Sequence, residues 1–299
     1  MHIQEEIRRL KEEKNAIILA HYYQTDDIQD VADMVGDSYG LSKKARDNDA
    51  ETIVFCGVKF MAESAKILSP HKKVLLPVME AGCPMAEMVT PKDISKLRKA
   101  YPGAAVVTYV NSTTQVKAVS DICVTSSNAV KVVKSLKEKQ IIFVPDQNLA
   151  SYVASQVPEK EIIPFTGYCI VHHRVDESDV EDAKSAIPDA LLLVHPECPP
   201  SIVKRADYVG STAGIIDYAR RSDAKKFIIG TEMGILHVLK KENPDKQFFL
   251  LTSKLLCANM KKTKITDVLD ALKFDRHEIT LSSEIIEKAK ASLDRMLEA

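Results

Sequence analysis

The chain has 299 residues, 45% hydrophobic and 28% charged, with 41 basic side chains against 42 acidic. A net charge of -1 and a pI near 6.7 exclude the broad basic face that nucleic acid requires. Apolar runs as short as Ala190–Val194 exclude a bilayer span, and the mixed-charge start Met1–Arg9 lacks a signal peptide's apolar stretch. A cytoplasmic globular protein of two or three domains is expected.

In chain order, Ile3, Ile7 and Leu10 share one face of a helix over 1–14, and Ala16–Ala20 reads as a buried strand. Strands follow near 52–56 and 73–76. Thr90-Pro91 is a helix start, with the hydroxyl as N-cap and proline at the first helical position. That helix runs through Ile94, Leu97 and Tyr101 to a strand at 104–110, with another near 141–144. A helix at 177–187 precedes strands at 190–194 and near 207–209, 226–229 and 247–251. Residues 264–281 read as a further helix–strand start that completes the last sheet. Residues 282–297 read as a packing helix with Ile285, Ala289, Leu293 and Met296 on one face. Strands alternating with helices predict an α/β fold of parallel sheets covered on both faces.

The sequence repeats itself. His21 and Tyr109 stand 88 apart, as do Asp33 and Asp121, Ser38 and Ser126, Pro70 and Pro158, and Lys72 and Lys160. A further 86 residues on come His195, Asp207, Thr212, Pro244 and Lys246, and each Pro/Lys pair is followed by a cysteine: Cys83, Cys169 or Cys257. This predicts three homologous α/β units, 1–88, 89–174 and 175–299, the last carrying the C-terminal helix. In each unit a strand ends in a polar group: His21-Tyr-Tyr-Gln24, Tyr109-Val-Asn-Ser-Thr113 or His195-Pro-Glu-Cys198. Seventeen residues after each of these first residues another strand ends in a hydroxyl loop, at Ser38, Ser126 and Thr212. Ligands of open parallel sheets bind outside the strands' carboxyl ends, and such loops present N–H groups to an anion. An isolated hydroxyl there would be an ordinary N-cap, so the threefold pattern carries the reading.

Six cysteines without a CxxC pair argue against a disulfide framework. Three equivalent units around an axis bring Cys83, Cys169 and Cys257 together. Three thiolates are one short of a structural zinc site and suit a [4Fe–4S] cluster with one open iron, although no close-spaced cluster signature is present.

Further motifs carry a resemblance. Val35-Gly-Asp-Ser38, Gly57-Val-Lys-Phe-Met-Ala-Glu63, Gly82-Cys-Pro-Met85, Val194-His-Pro-Glu-Cys198, Val209-Gly-Ser-Thr212, Gly230-Thr-Glu-Met233 and Cys257-Ala-Asn-Met-Lys261 join the strand ends above, in order along the whole chain. Together they resemble the quinolinate synthase family in its compact archaeal and thermophile form. The resemblance implies three three-layer αβα domains around a pseudo-threefold axis, with a [4Fe–4S] cluster on Cys83, Cys169 and Cys257. It implies a transferase that condenses iminosuccinate with dihydroxyacetone phosphate to quinolinate, phosphate and two waters, in NAD biosynthesis. Substrate-binding positions carry over to His21, Ser38, Tyr109, Asn111, Ser126, His195, Glu197 and Thr212, and Tyr23 completes the family's His-x-Tyr pair. A transient contact with the enzyme that makes iminosuccinate is left open.

Within that reading Ser38, Ser126 and Thr212 anchor the dianion, and Asn111 donates from its amide. Glu197 is the expected principal base, beside His195. Tyr23 and Tyr109 pass protons or steady an enolate, and His21 polarises a carbonyl or holds phosphate. The sequence departs from the family where Cys169 lacks a following proline and where Cys257 stands without neighbouring cysteines, which implies no regulatory disulfide there. Cys56, Cys123 and Cys198 read as small buried hydrophobes. His172 and His173 face either the cavity or solvent; His2, His71, His237 and His277 carry no assignment. Met61 and Met233 line the pocket or pack the core, and Lys72, Lys160 and Lys246 read as solvated turn lysines. The rival readings are another cluster-dependent hydro-lyase acting on a small carboxylic acid, and a metal-bearing sensor of small anions.

Overall fold

A computed structural model describes residues 3–299; Met1 and His2 lie outside the described residues. Three four-stranded sheets follow one another along the chain. The first holds β1 (Ala16–His21), β2 (Met34–Gly36), β3 (Thr52–Cys56) and β4 (Lys73–Leu75). The second holds β5 (Ala105–Tyr109), β6 (Ile122–Val124), β7 (Gln140–Val144) and β8 (Glu161–Pro164). The third holds β9 (Leu191–Val194), β10 (Tyr208–Val209), β11 (Lys226–Gly230) and β12 (Gln247–Leu250). Their orders are β2-β1-β3-β4, β6-β5-β7-β8 and β10-β9-β11-β12, and every paired strand is parallel. Helices between the strands cover both faces, so the protein is α/β, three αβα domains of one topology. The central strands are buried on both sides, which is why β1, β3, β5 and β7 read as continuous apolar runs. β8 is absent from the expected strands: Glu161-Ile-Ile-Pro164 is a half-exposed edge with little apolar signal.

The repeated residues outside the strand ends prove to be framework. Asp33, Asp121 and Asp207 each accept the backbone N–H of Ile18, Val106 or Leu192 at 2.7–2.8 Å, pinning the approach to the second strand onto the first. Each also pairs with a cation of the helix that opens its unit, Lys11, Arg98 or Lys184. The repeated lysines correct their reading as solvated. Lys72, Lys160 and Lys246 turn inward to carbonyls at the end of a preceding helix, on Asn48, Leu136 and Ala219 respectively, and Lys72 is buried. Unpaired terminal carbonyls attract a cation there.

The end of the chain corrects a second expectation. Helix Ile265–Phe274 buries Val268, Ala271 and Leu272 against Ile7 and Leu10 of the first helix. Beyond it Glu278 bridges Leu75 antiparallel, and Ile279 donates to the Val74 carbonyl at 2.8 Å. The segment therefore completes the first sheet and not the last. Helical periodicity defines an apolar face without naming its partner. The final helix, Ser283–Glu298, buries Ala289, Leu293 and Met296 of its expected face, whereas Ile285 is only partly buried and Ile286 packs against the core in its place. It lies against β6 and the helices Thr114–Lys117 and Lys59–Leu68, and Ser292 donates to the Lys117 carbonyl at 2.9 Å. Among the described residues no helix is long and apolar enough to cross a membrane.

Candidate active site

The sheets present their carboxyl ends to one cavity of about 190 Å³, where the crevice rule for parallel sheets places a ligand. His21 and Tyr109 end β1 and β5, and His195 directly follows β9. Two residues on stand Tyr23, Asn111 and Glu197, and at the neighbouring strand ends Ser38, Ser126 and Thr212. These nine side chains are three positions taken three times. All nine line the cavity, as do Cys83, Cys169 and Cys257. The N-cap role falls to Asp37 and Ser211, one residue before Ser38 and Thr212, which accept from Gly40 and Gly214. Ser38 and Thr212 are thereby left at the first position of their helices, next to unpaired N–H groups.

Contacts between sheets close the ring. Ser127 of the second domain donates to Asp37 of the first at 2.6 Å, and Ser126 meets Nε2 of His195 from the third at 3.2 Å. The Tyr23 hydroxyl of the first domain lies 2.9 Å from Thr212 and 2.7 Å from Thr231 in the third.

Backbone geometry sets the histidine tautomers. The Tyr23 N–H donates to Nδ1 of His21 at 3.1 Å, and the Glu197 N–H to Nδ1 of His195 at 3.3 Å. A nitrogen that accepts is unprotonated, so both rings carry their proton on Nε2. Burial pushes both imidazoles down to about 3, so they act at neutral pH as uncharged donors. Burial likewise pushes the Tyr23 and Tyr109 phenols well above their ordinary range, keeping them protonated. Glu197 is the buried acceptor among these donors. Burial works against its charge, but the nearby imidazoles and hydrogen bonds from His172 and Tyr109 hold it below the usual carboxylate range. Nδ1 of His172 lies 2.7 Å from the carboxylate. Nε2 of His172 lies 2.9 Å from the Thr231 hydroxyl. Donors can therefore run in one sense from Thr212 through Tyr23, Thr231 and His172 to Glu197. Asn111 Oδ1 is buried without a hydrogen-bond partner, an acceptor open to a ligand.

The three cysteines share a local pattern. The sulfur of Cys83 faces the N–H groups of Met85 and Ala86, that of Cys169 faces His172, and that of Cys257 faces Asn259 and Met260. Burial pushes the Cys83 thiol up to about 12 and raises the other two, so bare thiolates are disfavoured unless a cation joins them. Among the described residues, the ligand atoms of Cys169, His172 and Glu197 lie within 4.8 Å of one another and form the one group close enough to share a single ion. The three cysteines form no such group, although Cys83 lies near enough to both others to feel their charge. Their spacing is therefore wide for one tetrahedral ion, while N–H groups aimed at sulfur suit a thiolate-bound cluster.

Cys56, Cys123 and Cys198 are buried, as expected of small hydrophobes. Of the residues left open, His172 lines the cavity, while His173 packs at a tilt on Tyr168, with ring centroids 4.4 Å apart, and is not part of the lining. Met61 lines the cavity, while Met233 is partly exposed away from it. His237 pairs with Asp26 and Asp30, and His277 meets the Pro77 carbonyl. Thr231, Asp146 and Glu232 escaped the sequence reading. All three lie just past a third strand, and the 86-residue spacing of Asp146 and Glu232 was the available signal.

The profile of a family described as Quinolinate synthetase A protein matches residues 5–298. The quinolinate synthase of Alkaliphilus metalliredigens is 58% identical over 294 residues, covering 98% of this chain and 97% of the relative. That of Caldicellulosiruptor bescii is 56% identical over 296 residues, with 99% and 98% covered. The quinolinate synthase of Methanoregula boonei, 54% identical, covers 99% and 97%. Along nearly its whole length, and with the strand-end residues gathered around one cavity, the chain belongs to the quinolinate synthase family of enzymes.

Proposed function

We propose that the chain condenses iminosuccinate with dihydroxyacetone phosphate to quinolinate, phosphate and two waters in NAD biosynthesis. The observation that carries this reading is the single cavity holding all nine strand-end side chains and three cysteines. We assign the units to 1–88, 89–174 and 175–299, and place the protein in the cytoplasm, where free cysteines and small anionic substrates are both at home.

Cys83, Cys169 and Cys257 would hold a [4Fe–4S] cluster. Held by three cysteines, it would supply a Lewis-acidic iron with an open position for a substrate oxygen. The other residues act directly on the substrates. Ser38 and Thr212, at helix starts, and Ser126, in the turn that precedes its helix, anchor carboxylate or phosphate oxygens. His21 and His195 donate from Nε2, which suits a carbonyl or phosphate and leaves no charge when the ligand departs. Glu197, held ionised among donors, accepts protons during the condensation and water losses; His172 and Thr231 connect it to Tyr23. Tyr109, facing Glu197, returns a proton to an enolate or a leaving hydroxyl.

The deciding experiment supplies anaerobically reconstituted protein with dihydroxyacetone phosphate and freshly generated iminosuccinate. Quinolinate that forms with the parent and disappears in Cys83→Ala supports both the reaction and its metal dependence. Brown, iron-loaded protein that makes no quinolinate would leave the hydro-lyase reading standing. The Cys169–His172–Glu197 group favours a second metal reading, a single ion. About four irons with matching acid-labile sulfide per chain would exclude it.

A further inference from the structure

The three cysteine loops are secured alike by backbone and unlike by side chain. In each unit the second residue past the third strand, or its equivalent, faces the loop that carries the cysteine: Val58, Asp146 and Glu232, spaced 88 and 86 apart. The next residue's N–H donates to the carbonyl two residues before the cysteine. These struts are Lys59 to Ala81 at 2.8 Å, Gln147 to Gly167 at 2.8 Å and Met233 to Leu255 at 2.9 Å. A second strut exists in two units. The Cys169 N–H donates to Asp146 Oδ2 at 3.0 Å, and the Cys257 N–H to Glu232 Oε1 at 3.0 Å. At the matching place Val58 offers Cys83 no acceptor.

Each carboxylate is itself held from its other oxygen. Asp146 Oδ1 accepts from the Leu149 N–H at 2.7 Å, and Glu232 Oε2 from the Gly234 N–H at 2.8 Å. Both residues are fully buried. Burying a carboxylate is costly; for Glu232 that cost is offset by Lys261, whose Nζ lies 3.1 Å from Oε1, and an apolar residue closes the same corner in the first unit, so packing alone does not require a carboxylate there.

We propose that Asp146 and Glu232 are positioning residues that pre-set the backbone of Cys169 and Cys257 for their metal group, leaving Cys83 as the ligand that seats last. The proposal rests on the assignment of these cysteines as cluster ligands. It predicts an unequal cradle, two ligands held in advance and one recruited.

Asp146→Asn and Glu232→Gln are the discriminating variants. Both carboxylate oxygens accept backbone N–H groups, so an amide in either orientation turns its own NH₂ toward one of those donors. After anaerobic reconstitution, iron and sulfide content, the electron paramagnetic resonance of the reduced cluster and its bleaching by an iron chelator are compared with the parent. Both variants should bleach at least ~10-fold faster, a difference of about 1.4 kcal/mol at the barrier, with an altered resonance. Val58→Ala should bleach at the parent rate. Parent bleaching rates and spectra in both variants overturn the proposal.

Amide hydrogen exchange in metal-free parent protein tests the same idea without a variant that must fold. Segments around Cys169 and Cys257 should be protected, and the segment around Cys83 should exchange faster; equal protection overturns the proposal. If the parent takes up no iron, the cluster reading fails, and the exchange contrast still judges the positioning separately.

Discussion

The amino ends of the three sheets and their carboxyl ends have treated the same repeat in opposite ways. Near the amino ends and helix termini the residues stayed identical: Asp33, Asp121 and Asp207, and Lys72, Lys160 and Lys246. At the carboxyl ends they diverged, to His21, Tyr109 and His195, and to Tyr23, Asn111 and Glu197. The physical reason is the symmetry of the task. Pinning a second strand to a first, or capping a helix, is the same problem in every unit. On the proposed reaction, a cavity that takes two different small molecules and moves protons in one direction cannot present three equal faces. The cysteines are intermediate: identical as side chains, yet differently supported at Val58, Asp146 and Glu232.

The contrast predicts a division between turnover and stability. Glu197→Gln should cost about 10²–10⁴ in turnover, since it removes the buried acceptor. Iron and sulfide content should stay at parent levels. Steady-state rates near the parent's would remove Glu197 from the base role and weaken the claim that carboxyl-end residues diverged for chemistry.

A pH effect of about 2 kcal/mol per histidine comes next. His21 and His195 are held near 3 in the folded chain by burial, whereas an unfolded histidine titrates near 6.5. Between those values the unfolded chain binds more protons, so stability rises with pH. The contribution is whole above about 6.5 and drains as pH falls toward 3, about 2 kcal/mol for each ring by pH 5. Denaturant melts at pH 7 and pH 5 should differ less in a His21→Asn, His195→Asn double variant than in the parent. Comparing the two slopes isolates the imidazoles from buried Asp146, whose raised carboxyl titrates with the opposite sign. Identical slopes would mean that neither ring is held neutral.

Framework changes should be smaller and should spare catalysis. Asp121→Ala loses the Val106 N–H bond and the Arg98 pair, with an expected cost of about 1–2 kcal/mol, read by calorimetry. Reduced turnover at unchanged stability would break the division between the two ends. Lys246→Met, which uncovers the carbonyls of Ala219 and Ser222, should cost about 0.5–1 kcal/mol and leave kcat untouched. An unaltered melting temperature would return the repeated lysines to the solvated class.

How much was legible follows from range. His21, Ser38 and their counterparts stood out because the repeat registers them at constant spacing, and their place at strand ends follows from local periodicity. Thr231 was not legible, although it lies in the Gly230-Thr-Glu-Met233 motif. Its role arises from Tyr23, 208 residues away, and from His172, 59 residues away. His172 stayed ambiguous for the same reason: orientation toward a cavity or toward solvent is a property of packed loops.

By itself, the order of residues determined the α/β class, the threefold repeat, the strand-end chemistry and the family likeness. Those features depend on local periodicity and on spacing that the chain carries wherever it folds. Only the tertiary structure decided that helix Ile265–Phe274 returns to the first sheet, where it covers the apolar stripe of Ile7 and Leu10. It also decided which backbone N–H groups fix the histidine tautomers and which carboxylates clamp the cysteine loops. These are distances between segments far apart in the chain, and they exist only once the cores have packed.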